Sequence, residues 1–377
     1  MFHISKISPF FFILAYLDLV LSTFYKNDIQ DLAFILVFGF IFNTVLGGLY
    51  QIVPNSQSQK LRYPWVSYIV FLLSLSGNIF FLADNLKAFS VFILLAVLIF
   101  IFHIISCVKL VKPLTIRFIL TGIFYMFLSV IFLNLTIFQG IVPYQLSVHT
   151  FTLGVMTNLI IGVLFTWIPM LTMQVLNLKL ADKFYYIYQV AVFLFLSSFF
   201  VLNYNFILLS GVILLLCVLF YLYIIYDSIF KGKKAIVLPL VVKYFLLGWF
   251  LFLLGTITIL GIIIFNKFDL IILHIDLMIY GFGFLVLSGA MIHLLPRILW
   301  NWFYQEKVRK GKEVLPIHKL INEKLALINL YFYIPLLIFI AGFDYFKLFD
   351  ISSSILGIFY IWFTVGTFYR LVKFVFS

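Results

Sequence analysis

Six histidines and aspartates fall inside apolar stretches long enough to cross a bilayer: Asp18, His103, His149, His274, Asp276 and His293. An ionisable group in hydrocarbon costs about 2.5–3.5 kcal/mol or more, so such a residue is expected to have a partner or a task. Four of the six are histidines, and imidazole is a common ligand of metal ions and haem iron. Their spacing limits what they can hold. His274 and His293 lie nineteen residues apart on one stretch, about 28 Å along a helix, and cannot share one metal ion. His149 and His274 each open a hydrophobic span, whereas His103 and His293 each close one. The pairs that depth allows are therefore His149 with His274 at one face of the membrane, and His103 with His293 at the other. His274 and Asp276 differ by about 200° around a helix axis, so a single helix could present them to two separate cavities.

The stretch that carries most of this chemistry is IILHIDLMIYGFGFLVLSGAMIHLLPR, residues 271–297. Its glycine and proline pattern recurs. Gly281, Gly289 and Pro296 repeat the spacing of Gly154, Gly162 and Pro169, and of Gly39, Gly47 and Pro54. Three matches about 120 residues apart point to a triplicated unit. The units run over about 1–112, 113–234 and 235–377, within a single integral membrane domain. The glycines would admit close approach of another helix or of a flat macrocycle. Plain helix packing is their simpler explanation. The three prolines are expected to end their helices.

Composition sets the class. The chain is 65% hydrophobic and 10% charged, with a mean hydropathy of +1.21. This is an all-α polytopic membrane protein. Twelve spans of roughly 20 residues are expected near 8–25, 32–53, 64–83, 87–107, 115–138, 148–170, 183–203, 205–226, 239–266, 271–296, 324–343 and 351–372. The first span lacks a small-residue cleavage site, which marks a retained helix and not a signal peptide. The two cysteines, Cys107 and Cys217, lie in apolar runs and offer neither a disulfide framework nor a thiolate metal site.

The net charge of +12 is a topology signal. Alternate loops hold 21 of the 25 basic residues, including the 298–323 loop with its KVRKGKE run. The opposite side has only Lys26, Lys87, Lys267 and Lys347. The positive-inside rule then puts both termini in the cytoplasm. The basic side would attract anionic lipid, and nucleic acid is not an expected partner. His103, in the last turn before a basic loop, is expected to be structural or interfacial. For His293, beside Arg297, both readings stand. His3 and His318 lie outside the spans. Asp18 is expected to pair with a basic group or to border a water-filled cavity.

Twelve spans, a threefold repeat and histidines at the starts of even-numbered helices resemble the large subunit of the haem–copper oxidases. HTFTLGVMTNLIIGVLFTWIP is similar to the sixth helix of the C-family oxidases and nitric oxide reductases, and HIDLMIYGFGFLVLSG to their tenth. The IHLLPR ending also resembles short oxidase-like proteins of the nitric-oxide-response type. The resemblance implies three four-helix units around a pseudo-threefold axis, in a bacterial or archaeal plasma membrane. It makes His149 the counterpart of a copper ligand and His274 the counterpart of the axial ligand of the catalytic high-spin haem.

The departures narrow what it implies. The family's second histidine on the tenth helix, a ligand of the low-spin haem, is Asp276 in this chain. DLAFILVFGFIFNTVLGG, the second helix, lacks that haem's other histidine, and KFYYIYQVAVFLFLSSFF, the seventh, lacks two copper ligands. One haem on His274, with His149 on its distal side or as a second axial ligand, and no intact copper site are the expected set. Oxygen reduction with proton pumping is not expected. Electrons would come from a redox partner, another membrane subunit or a quinone, because no cytochrome c attachment motif is present. The alternative is a non-redox scaffold that transports a small solute or metal, or assists assembly of a respiratory complex. Asp18, Asp276 and the histidines would then line a polar path.

Overall fold

A computed structural model describes residues 3–201, 203–230 and 237–375. Lys231, Lys233 and Lys234, and the boundary between the second and third units, lie outside the described residues. Among the described residues there are helices and no strands, as hydrocarbon requires of a chain that must satisfy its backbone polar groups internally.

Among the described residues twelve apolar helices follow one another: α1 (Ser8–Tyr25), α2 (Ile29–Ser56), α3 (Val66–Leu82), α4 (Leu86–Ile105), α5 (Leu114–Gln139), α6 (Tyr144–Thr172), α7 (Leu178–Val201), α8 (Tyr204–Phe230), α9 (Leu240–Ile264), α10 (Phe268–Phe303), α11 (Glu323–Tyr345) and α12 (Phe349–Val375). Eleven are long and apolar enough to cross a membrane, and α3, with 17 residues, is shorter. Local sequence explains several ends. Asp28 accepts from the N–H groups of Gln30 and Asp31 to start α2. Asn85 and Asn322 cap α4 and α11 in the same way. Gly140, in the left-handed region at φ +64°, closes α5.

The inner helices are α2, α6 and, over its Ile279–Gly289 stretch, α10. The most apolar windows of α2 and α6 are each 94% buried. Phe151 of α6 packs edge-on against Phe38 and Phe42 of α2. Trp167 of α6 meets His293 of α10 at 4.7 Å between ring centroids. Tyr16 of α1 reaches Phe363 and Phe368 of α12, so the last helix packs on the first.

Each inner helix contains a π-helical segment, at Ile35–Ile41, Thr150–Thr157 and Asp276–Gly283, and each segment includes the first glycine of the repeated pattern. A π-turn takes carbonyls out of the regular i→i−4 ladder, and they need other donors. The Tyr188 hydroxyl of α7 donates to the carbonyl of Leu153, and the Tyr333 hydroxyl of α11 donates to that of Tyr280. Those carbonyls belong to the residues just before Gly154 and Gly281.

The glycines are sites of close approach. A Cβ on Gly39 would meet Asp18, and one on Gly47 would meet Phe11. Gly154 and Gly162 stand in the same way over Tyr125 and Phe118, and Gly281 and Gly289 over Leu251 and Tyr244. The prolines differ from expectation. Pro54, Pro169 and Pro296 lie inside their helices and do not end them. Near a helix end, proline removes few ladder bonds, and tight tertiary packing holds the remaining turns in place.

Candidate functional site

A cavity of about 690 Å³ lies among α2, α6, α7, α8, α9 and α10. Its lining reaches Ile29, Pro143, Tyr204 and Phe268 at the end where α2, α6 and α10 begin, which we take as its mouth. Its floor is formed by Phe184, Tyr221 and Trp249. From Tyr204 to Tyr221 along α8 it runs about 25 Å. The size falls within the range of roughly 300–1,000 Å³ typical of small-molecule and cofactor sites. The lining is mostly apolar, with Thr152, Thr157 and Thr256 among its few polar side chains.

His149 and His274 both line this cavity, and among the described residues they are its only histidines. His149 bonds through Nδ1 to the Gln145 carbonyl at 2.8 Å, and His274 through Nδ1 to the Gly255 carbonyl at 3.0 Å. A carbonyl can only accept, so in both rings Nδ1 carries the proton. The Nε2 lone pair is left free, as in a histidine prepared to bind a metal. Phe199 stacks on the His149 ring at 5.0 Å and Phe195 meets it edge-on, which fixes the plane of the imidazole. The α6 and α10 backbones pass into their π-segments at Thr150 and Asp276, next to these histidines.

Asp276 faces away from the cavity, toward α1, α11 and α12. Its Oδ1 lies 3.3 Å from the Lys26 ammonium, which also bonds Asp344. Ser352 of α12 donates to Asp344. Lys26 and both carboxylates are almost fully buried. Lys26 was expected in a loop but closes α1 with its ammonium turned inward. The signal in the sequence is one of charge: Lys26 and two acidic residues, Asp276 and Asp344, fall on the same side of the membrane.

Asp18 has no basic partner among the described residues. Its oxygens accept from the side-chain amides of Asn43 and Asn78, each at 2.8 Å, and Ser74 donates to Asn43. A void of about 10 Å³ borders Asp18 and Asn78, which is room for one water.

The other expected pair is not joined. His103 bonds through Nε2 to the Arg62 carbonyl, and its Nδ1 faces the Tyr50 hydroxyl at 3.4 Å. His293 accepts from Arg297 at Nδ1 and packs on Trp167. The two histidines share no bonded residue. The candidate polar residues thus occupy separate places and do not form one path. No group of three His, Cys, Asp or Glu suited to a metal ion occurs among the described residues. At the cavity floor, the Tyr221 and Trp249 rings lie 4.2 Å apart between centroids, with the hydroxyl and the indole N–H both buried.

Fold and sequence together define a polytopic, all-helical membrane protein with an internal two-histidine cavity. No protein-family model matches the chain. A protein of Aquifex aeolicus (strain VF5), described as an uncharacterized protein, is 42% identical over 330 residues, which cover 86% of this chain and 86% of that one. The chain belongs to the same family as this Aquifex protein.

Proposed function

We propose that this protein is a divergent relative of the haem–copper oxidase large subunit that holds one haem in the two-histidine cavity, for electron transfer or for binding a diatomic gas. The observation that carries the reading is the pair of imidazoles. His149 and His274 line one apolar cavity, and each ring bonds a backbone carbonyl through Nδ1, which leaves Nε2 as the nitrogen available to a ligand. The donor set fits haem iron: His274 would hold it, and His149 would face it or share in holding it. It does not fit a three-histidine copper site, since no third histidine lines the cavity among the described residues. Asp276, in the place of the family's low-spin haem ligand, is engaged with Lys26.

A haem bound there would supply a redox-active iron and a coordination position for a small gas. The chain's own residues would orient the ring and keep bulk water out. The aromatic and aliphatic lining makes charge transfer to solvent unfavourable and suits a neutral diatomic ligand. Electrons would come from a redox partner, a neighbouring membrane subunit or a quinone.

The same reading arranges the chain as three four-helix units about a pseudo-threefold axis. The glycine contacts support it. In each unit the two glycines of the even helix meet residues seven apart on the helix before it: Phe11 and Asp18, Phe118 and Tyr125, Tyr244 and Leu251. The π-segments at the first glycine of each set support it further. The distribution of basic residues supports cytoplasmic termini in a bacterial or archaeal plasma membrane.

The test is the visible absorption spectrum of the purified protein. A Soret band is expected that His274→Ala abolishes. A colourless protein from haem-replete cells would refute the reading.

A further inference from the structure

The Lys26 ammonium ties together four helices at the end of the fold where His274 sits. It extends from α1 to Asp276 of α10 and to Asp344 of α11, and it lies 3.4 Å from Ser352 of α12. The face of the Tyr280 ring lies 5.2 Å from the same ammonium, and the Tyr280 hydroxyl meets Ser22 of α1 at 3.0 Å. Asp276 follows His274 by two residues and is the first residue of the π-segment. Its side chain leaves the helix on the face opposite the cavity. The rotation of α10 about its axis therefore sets both directions at once: Asp276 onto Lys26, and His274 onto the cavity.

The other directional contacts on this part of α10 lack the charge of the ion pair: the Tyr280 hydroxyl meets Ser22, and the Tyr280 carbonyl accepts from Tyr333. His274 has one backbone bond, to Gly255. Apolar packing is non-directional and permits rotation that a buried ion pair resists: turning Asp276 away would leave its carboxylate in hydrocarbon without a cation, while the ammonium stayed on Asp344.

We propose that Lys26 is a positioning residue for the two-histidine site: by holding Asp276 it fixes the azimuth of α10 so that the His274 Nε2 points into the cavity. This rests on the proposed ligand role of His274, although the orientation itself can be read without haem.

Two measurements test it. In the haem-loaded protein, Lys26→Met should weaken haem retention by about 10- to 100-fold, the usual cost of losing an outer-shell partner. It should also shift the Soret band, while Lys26→Arg restores both. The second measurement needs no haem. In a Cys107→Ser, Cys217→Ser background, the thiol of His274→Cys faces the cavity and should react with a small apolar maleimide. Adding Lys26→Met should slow that reaction by about tenfold, as a turned helix would. Because Lys26→Met leaves two buried carboxylates and could unfold the protein, the charge-neutral triple change Lys26→Met, Asp276→Asn, Asp344→Asn is measured beside it. An unchanged thiol reaction rate in the triple variant overturns the proposal, whatever the haem result. A slowed thiol reaction in a protein that never binds haem leaves the positioning intact and refutes the haem reading alone.

Discussion

The side-chain amide of Asn78 lies 2.8 Å from both carboxylate oxygens of Asp18, and Asn43 completes the set from α2. Three helices are joined there by neutral donors around one buried acid. Asp18→Ala would leave both amides without an acceptor. The expected loss is roughly 1–3 kcal/mol for each stranded group. Asp18→Asn keeps an oxygen in place and should cost less than half as much. Thermal unfolding in detergent measures both, and equal losses would show that the amides do not depend on this acceptor.

Close helix approach predicts a contrast between two glycines. A Cβ on Gly162 would come 2.5 Å from the Phe118 Cβ and 3.2 Å from the backbone carbonyl of Thr115. Gly261, on α9, has nothing within 4 Å. Gly162→Ala should destabilise by about 1–3 kcal/mol through overpacking. Gly261→Ala should be neutral or stabilising by up to about 1 kcal/mol, from the helix preference of alanine. Melting temperatures of the two variants check the pair.

Changes at the two histidines should separate their roles. His274→Ala is expected to remove haem altogether. His149→Ala should leave haem bound and change its spin state, read from the Soret and visible bands. His103→Ala should leave the spectrum unchanged, because both its nitrogens are used at Arg62 and Tyr50. Loss of haem in the His103 variant, with retention in the His274 variant, would reverse the assignment.

Loop charge predicts orientation. A reporter inserted in the Lys307–Lys312 segment should report the cytoplasm, as should one after Arg370. One inserted beside Lys347 should report the opposite side. A periplasmic signal from the first two would overturn the orientation.

The spans were readable because each is a long apolar run bounded by polar or turn residues. The first, expected at 8–25, coincides with Ser8–Tyr25. The sixth was expected from 148 and begins at Tyr144, because Pro143 fixes the start and Gln145 is tolerated at the cavity mouth. The opposite faces of His274 and Asp276 also followed from helix geometry alone. The Lys26 cluster did not, because its partners are 250 and 318 residues away in sequence and the lysine follows an aromatic pair that reads as a membrane border. The amide partners of Asp18 were hidden for the same reason: nothing in an isolated Asn43 or Asn78 marks it as facing a carboxylate. The π-segments escape a reading based on 3.6-residue periodicity, and so do the carbonyls they free for Tyr188 and Tyr333. The prolines were misjudged because sequence shows the missing N–H and not the packing that tolerates it.

The central claim is one haem, and no stoichiometric copper, in a cavity built on His149 and His274. A pyridine haemochrome assay on the purified protein, with metal analysis of the same sample, tests it most directly. The account predicts one haem per chain and copper well below one equivalent. Two haems per chain, stoichiometric copper, or no haem at all after expression in haem-replete cells would contradict it.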